Sequence, residues 1–522
     1  MLDAMVSVAP TPLDPVARAG RVVRALFERF ERQGLEPLLI ETHISWVLLV
    51  GAHAYKIKKP VRFGFLDFSS LAARQRFCES EVRLNQRLVA ELYVGVVPIR
   101  ISADGPAFEG DGPVIEYAVK MHRLAPLAVV SERLAAGGLD ATHLTRLAHR
   151  MAAFHRDAPA AAPGSPYATP ATVQADASHA LDALAAMVGE ARCAGLRLWL
   201  KQAAQALIPI WQQRHDGGFV REGHGDLHLD NVLVLDADVT AFDCIEFDTS
   251  LRWIDVINDI AFLVMDLQAH SRRDLGHAFL NAYLEDTGDY AGVAVLRFYC
   301  VYRAIVRSLV AALREHEAVA ATPLTSATYL SLAEQLAAPS QARLLITHGL
   351  PGAGKSHVTQ QLLAQAGAIR IRSDVERARL FAQDSRYTSS ASEQVYARLI
   401  DCARDCLGAG FPTIVDATFL SRAQRQDFHD LADELNLPFT ILDCHAPMPV
   451  LRERVRARAA QGTDASQADV AVLEQLAAWQ EPLDTAELIC SVDVDTHSPV
   501  EAMDLVARWL RSGFETSSHA PR

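Results

Sequence analysis

The stretch Gly349-Leu350-Pro351-Gly352-Ala353-Gly354-Lys355-Ser356 satisfies G-x-x-x-x-G-K-[ST] at every position. Residue types in this order bind phosphate. Glycines allow successive backbone N–H groups to turn inward around phosphate oxygens, and a helix opening at the lysine adds a potential that favours anions. Gly349, Gly352 and Gly354 therefore form the expected cradle, with Lys355 on the β- and γ-phosphates of ATP and Ser356 on Mg²⁺. Residues 344–347 read as a strand before the loop and 358–364 as a helix after it, which is the context the motif needs.

A phosphate loop alone does not separate kinases from ATPases or GTPases. A strand over 368–371 ends in Arg372-Ser373-Asp374-Val375-Glu376-Arg377. A carboxylate at such a strand end can accept the proton of an attacking hydroxyl, which makes Asp374 the candidate base. Arg377, three residues on, can hold an anionic group of the acceptor. A strand over 412–415 delivers Asp416, a second acid expected near the Mg²⁺. Arg452, Arg454, Arg456 and Arg458 line a predicted helix before the polar stretch 462–469, the pattern of a lid that brings arginines over phosphates. Taken together, residues 342–513 resemble the P-loop kinases that include polynucleotide 5′-kinases, zeta toxins and small-metabolite kinases. The resemblance implies Asp374 as base and Arg377 as an acceptor-binding residue through its D-x-x-R motif. It also implies Asp416 as the second acid and Arg454 or Arg458 as the lid arginine.

A second constellation lies upstream, in His224-Gly225-Asp226-Leu227-His228-Leu229-Asp230-Asn231. Asp226 and Asn231 have the spacing of the kinase pattern H-R-D-x-x-x-x-N, in which the Asp is the base and the Asn binds metal. Asp243, twelve residues on, follows an apolar stretch and supplies another candidate metal ligand. His-Gly-Asp in place of His-Arg-Asp resembles the aminoglycoside phosphotransferase and choline kinase group, over about residues 35–335. Asp243 is followed by Cys244 and Ile245, so there is no DFG. Asp259 matches an acid that buttresses the catalytic loop in that group, a structural role. The family also needs a strand lysine with a helix glutamate as partner. Lys56 and Lys58 share one strand face, so periodicity does not choose between them; Lys56 is preferred because an apolar residue follows it. Glu81 is preferred over Glu79 as the partner, and the strand 114–120 followed by Met121 would be the hinge that meets adenine. No G-x-G-x-x-G precedes Lys56, where only Gly51 stands in a short turn; the aminoglycoside-kinase-like group often lacks the full glycine pattern, and cover of the nucleotide by that loop must differ. A rival reading makes His224, Asp226, His228 and Asp230 a Zn²⁺ or Fe cluster, but it leaves the Asn231 and Asp243 spacing without a purpose.

The elements needed to hold these residues follow from patterning. Residues 15–34 are helical with Val22, Val23, Leu26, Phe27 and Phe30 on one side. Strands are expected over 44–50, 54–58, 94–99 and 114–120, and a helix over 70–90. The stretch 157–175, rich in Ala, Pro, Ser and Thr, reads as a loop. The fold expected is an α+β protein-kinase-like bilobal domain over 1–336, with a small lobe at about 35–120 and a helical lobe at about 121–336. After it comes an α/β P-loop NTPase domain with a parallel sheet over 342–513, then a disordered tail at 514–522.

Composition narrows the class. Of the 522 residues, 50% are hydrophobic and 22% charged, which is that of a soluble globular chain of more than one domain. No long uncharged apolar run and no signal-peptide pattern occur, so a cytoplasmic protein without membrane contact is expected. The net charge of −13 argues against a broad basic surface for duplex nucleic acid. Eight scattered cysteines without a C-x-x-C pair read as reduced, buried thiols. The expectation is a bifunctional phosphotransferase using ATP and Mg²⁺ on small-molecule hydroxyl acceptors. The alternatives are a first half that only senses nucleotide or ligand, and a second half that phosphorylates nucleic-acid 5′-hydroxyls.

Overall fold

A computed structural model describes residues 14–63, 66–108, 110–236, 238–316, 324–339, 341–382, 389–461, 469–498 and 502–511. The expected tail and most of the polar stretch after the arginine helix lie outside the described residues. The chain divides into two compact units, Met1–Leu139 with Arg221–Ile254, and Asp140–Val220 with Asp255–Arg522.

The first unit is built on an antiparallel sheet. Strands run in the order Leu38–Glu41, Ser45–Val50, His53–Lys58, Val114–His122, Tyr93–Ser102, Gly105–Ala107. Helix Pro15–Arg32 buries Ala19, Val23 and Leu26 against Trp46, Leu48 and Ile57 of this sheet. The helix Leu71–Val89 begins at Ser70, whose hydroxyl accepts from the Ala73 N–H and so satisfies one orphan donor of the first turn. These elements lie within a few residues of the spans expected from patterning. A hairpin of Val232–Leu235 and Asp238–Ala241 also belongs to this unit.

The second unit combines helices with a parallel sheet. Its helices include Ala141–Asp157, Pro170–Val188, Glu190–Asp216, Val256–Ala269, Arg273–Thr287 and Val293–His316. The stretch read as a loop up to residue 175 ends earlier, at Thr169. Thr169 caps the Thr172 N–H and Pro170 occupies the first turn, where its missing N–H costs nothing. Arg214 is buried between Asp255 and Asp289, with four N–H···O contacts of 2.7–2.9 Å. The parallel sheet has the order Ile369–Arg372, Thr413–Asp416, Leu344–His348, Phe439–His445, Ser491–Asp495. Leu344–His348 and Thr413–Asp416 are buried at every position, as inner strands covered on both faces must be. Among the described residues, no helix is long and apolar enough to cross a membrane.

Candidate functional site

The phosphate loop leaves the carboxyl end of strand Leu344–His348 and enters helix Lys355–Ala366. Gly349 has φ +136°, and a Cβ there would strike the Cys444 carbonyl oxygen, so no other residue fits. Gly354 is the left-handed N-cap of the helix. Lys355 Nζ donates to the carbonyl oxygens of Gly349 and Leu350, at 2.9 and 3.0 Å. Burial lowers the Lys355 pKa, and Asp416 and Asp374 only partly oppose the fall. An anion beside this ammonium would restore it.

A cavity of about 790 Å³ opens over the loop. Its walls hold Gly352, Gly354, Lys355, Ser356, Asp374, Arg377, Asp416, Arg454 and Arg458, every candidate of the phosphate-loop constellation except Gly349. Asp374 stands in the first turn of helix Ser373–Leu380, and Arg377 donates to Ser392 Oγ at 3.4 Å. Asp416 ends the strand beside the loop, buried, with Thr359 Oγ1 3.3 Å from its Oδ2. Thr347 Oγ1 donates to Ala417 O at 2.6 Å and accepts from Ala417 N at 3.0 Å, which locks the two strand ends together. Arg454 bonds Gly352 O, Thr496 Oγ1 and Thr496 O. The oxygen donors of Ser356 and Asp416 suit Mg²⁺, a hard cation.

In the first unit, strand His53–Lys58 aims both lysines at helix Leu71–Val89. Lys56 Nζ lies 2.9 Å from Glu81 Oε1 and 2.6 Å from Asp243 Oδ1. Lys58 is buried, 2.6 Å from Glu81 Oε2 and bonded to Glu246. Glu79 is elsewhere, on the exposed face, where Gln75 donates to it. Burial raises the Glu81 pKa, but the charges of Lys56 and Lys58 outweigh it and hold the carboxyl below its ordinary value. Burial also leads for Glu246, whose pKa is raised.

The Asp226 loop is fixed from within. Asn231 Nδ2 donates to Asp226 O at 2.9 Å and to Asp226 Oδ2 at 3.0 Å. His224 Nδ1 accepts from the Asp226 N–H at 3.2 Å, so its Nε2 is the protonated nitrogen and donates to Phe242 O at 2.8 Å. Both ring nitrogens of His224 are thus spent on backbone, which gives this histidine a loop-fixing task rather than a metal. Gly225 has φ +86°, and a Cβ would sit 2.7 Å from Leu251 O. That contact, with the positive φ, is the physical reason this position holds a glycine. Asp243 also has a left-handed backbone, φ +63°, a strained conformation for a non-glycine residue. Strands Ser45–Val50 and His53–Lys58 are joined by two residues only, Gly51 and Ala52. Strand Val114–His122 runs two residues beyond the expected span and takes in Met121, the expected hinge.

Two residues carry no role in the sequence reading. Glu246 is open to charge counting, since two lysines on one buried strand face need more than one carboxylate. Arg372, which lines the cavity, ends an apolar strand and precedes the more conspicuous Asp374, so nothing local marks it.

A family profile described as an AAA domain matches residues 344–483. The uncharacterised protein Rv2004c of Mycobacterium tuberculosis is 30% identical over 479 residues, covering 88% of this chain and 92% of that protein. Its counterpart Mb2027c of Mycobacterium bovis gives the same figures, 30% over 88% and 92%. Among solved structures, a gluconokinase from Sinorhizobium meliloti is 20% identical over 33% of this chain and 91% of its own, with a TM-score of 0.26. The APS kinase of Mycobacterium tuberculosis, in complex with AMPPNP and APS, is 18% identical over 32% and 98%, with a TM-score of 0.25. The chain belongs to the family of these mycobacterial proteins, and its C-terminal part is an AAA-type P-loop domain with a parallel sheet.

Proposed function

We propose that the C-terminal cavity transfers the γ-phosphoryl of ATP to a hydroxyl of a small anionic molecule. The observation that carries this reading is one cavity holding the phosphate loop, a carboxylate and arginines together. Asp374 would take the hydroxyl proton, Arg377 would hold the acceptor's anionic group, and Lys355 with Arg454 or Arg458 would stabilise charge on the transferring group. Ser356 and Asp416 would hold Mg²⁺, which neutralises phosphate charge when bound. Catalysis of this kind is mainly positioning and electrostatics.

The first half is read as a second, aminoglycoside-phosphotransferase-like kinase, with a small-molecule acceptor of its own. Asp226 would be its base, Lys56 with Glu81 its phosphate anchor, and Asn231 and Asp243 its metal ligands. A different reading, a nucleotide- or ligand-binding regulator without chemistry, is favoured by one observation: only two residues join the strands where a glycine-rich loop would cover phosphates. Mass spectrometry of phosphorylated products formed in a metabolite extract separates the two. If Asp226→Ala and Lys355→Ala each abolish a different product, both halves are kinases. If Asp226→Ala changes nothing, the first half is a regulator. If Lys355→Ala changes nothing, the proposal for the C-terminal cavity is wrong. Labelled phosphate transferred to a 5′-hydroxyl oligonucleotide would replace the small-molecule acceptor with nucleic acid.

A further inference from the structure

Strand Ile369–Arg372, which leads to Asp374, is an edge strand of the parallel sheet. One side pairs with Thr413–Asp416, and the other would leave backbone groups open. Within the second unit that open side is covered by helix Arg273–Thr287. Asn281 Nδ2 donates to Ala368 O at 3.0 Å, and Asn281 Oδ1 accepts from Arg370 N at 2.6 Å, so one side-chain amide replaces a neighbouring strand.

One turn further along the same helix face, Glu285 meets both arginines of that strand. Its Oε1 accepts from Arg370 Nη2 at 3.0 Å, and its Oε2 lies 3.5 Å from Arg372 Nη1. Arg370 is buried, and its Nη1 reaches Ser356 O at 3.3 Å and Thr359 Oγ1 at 3.4 Å. Thr359 Oγ1 is in turn 3.3 Å from Asp416 Oδ2. Arg372 lines the cavity. Helix Ser373–Leu380 is tied to the same place, because Arg379 donates to the carbonyl oxygens of Glu285 and Asp286, and Arg398 to that of Gly288. Both of these arginines also pair with the buried Glu376, at 3.1 and 3.2 Å.

We propose that Glu285 is a positioning residue for the C-terminal cavity, acting through Arg370 on the turn that carries Ser356 and through Arg372 on the wall that carries Asp374. It lies outside the residues 344–483 matched as an AAA domain, so the strand that leads into the cavity is braced by a helix that precedes that span. The proposal rests on reading the cavity as an ATP site. Without the carboxylate, two neighbouring guanidinium groups lose their shared anion, and the first turn of the P-loop helix loses its brace.

The test uses the full chain and follows ADP release from ATP. Glu285→Gln keeps the size and removes the charge; its KM for ATP is expected to rise about 10-fold with a smaller change in kcat. Glu285→Asp, which keeps the charge, is expected to recover part of that rise. Arg372→Gln added to Glu285→Gln is expected to cost little more, since the two act on one wall. A wild-type KM in Glu285→Gln, or a loss of rate matched by loss of folded protein, overturns the proposal. Amide exchange of the nucleotide-free chain gives a second readout. Exchange over residues 355–359 should quicken in Glu285→Gln and recover in Glu285→Asp, and unchanged exchange there overturns the proposal. An unmodified chain that releases no ADP would fail the ATP reading alone, and the exchange result would still decide the role of Glu285.

Discussion

The two candidate sites handle charge in opposite ways. Around Lys56, two lysines face three carboxylates, Glu81, Asp243 and Glu246, in contacts of 2.9 Å or less. The phosphate cavity is lined by five cationic side chains, Lys355, Arg372, Arg377, Arg454 and Arg458, against three carboxylates, Asp374, Glu393 and Asp416. An excess of carboxylate suits a cation, and an excess of guanidinium and ammonium suits a polyanion. If the first site takes phosphate, as proposed, a metal ion would have to offset its surplus of carboxylate first, whereas the second offers attraction to phosphate in its own residues.

The strongest way to break this contrast is to remove the phosphate-facing groups one site at a time. Lys355→Ala should lower phosphoryl transfer by the C-terminal site about 100-fold or more, and Asp374→Asn should do the same with nucleotide affinity preserved. Neither should alter a product that depends on Asp226. Initial rates and nucleotide binding on each variant check this. If Lys355→Ala left both unchanged, the cationic cavity would not be the phosphate site.

Gly225→Ala attacks the other side. The added Cβ meets Leu251 O at 2.7 Å on a backbone at φ +86°. The expected cost is about 1–3 kcal/mol of stability, read in a denaturant titration, with any Asp226-dependent product lost and Lys355-dependent turnover retained. A substitution without effect would mean that the loop relaxes, and the reason given for glycine at this position would fall.

Chelation of Mg²⁺ sharpens the same contrast. Nucleotide bound through Lys56 should be lost, because the surplus there is negative. Nucleotide bound at the P-loop should weaken by only about 10-fold, since its own cations remain. Titrations of ADP with and without EDTA, on Lys355→Ala and Lys56→Ala chains, assign each effect to its site. Equal losses at both sites would refute the charge argument.

What was legible in the sequence followed from local physics. Gly349, Gly352, Gly354, Lys355 and Ser356 could be read because a phosphate cradle is a local backbone object whose residues are consecutive. The strands and helix around Lys56 and Glu81 could be read because local patterning and a glycine turn mark them. The choice between Lys56 and Lys58 could not, because both lie on one face and both touch Glu81; burial and the distant Asp243 and Glu246 set them apart. Asn281 and Glu285 were invisible for a related reason. They sit in an ordinary helix, and their meaning lies in strand Ile369–Arg372, about ninety positions later, with no pattern linking the two.

The smallest effect expected is a pH dependence from one buried histidine of the second unit. His277, one turn before Asn281, is 3% exposed and contacts Ala368. Burial, with nearby Arg273, lowers its pKa to about 3 from an ordinary value of 6.5. The folded chain therefore keeps this imidazole neutral where the unfolded chain protonates it. Stability is complete above pH 6.5 and falls as the pH drops toward 3, by about 1.4 kcal/mol per pH unit for this one group. Glu81 behaves differently. Its lowered pKa contributes stability that is present above its ordinary value of 4.5 and is lost only below it. Between pH 6.5 and 5, His277 thus weakens the second unit while Glu81 leaves the first unchanged. Asp289, Asp405 and Glu246 are raised by burial and titrate in the opposite sense, so the quantity to measure is the difference between wild type and His277→Gln. Glutamine retains a donor for Ala368 and cannot take up the proton. Denaturant titrations at pH 7 and 5.5 should show the variant losing less stability than wild type, by about 1–2 kcal/mol. Equal losses would mean that His277 takes up its proton inside the fold, and the strand edge it shares with Asn281 would then be open to water.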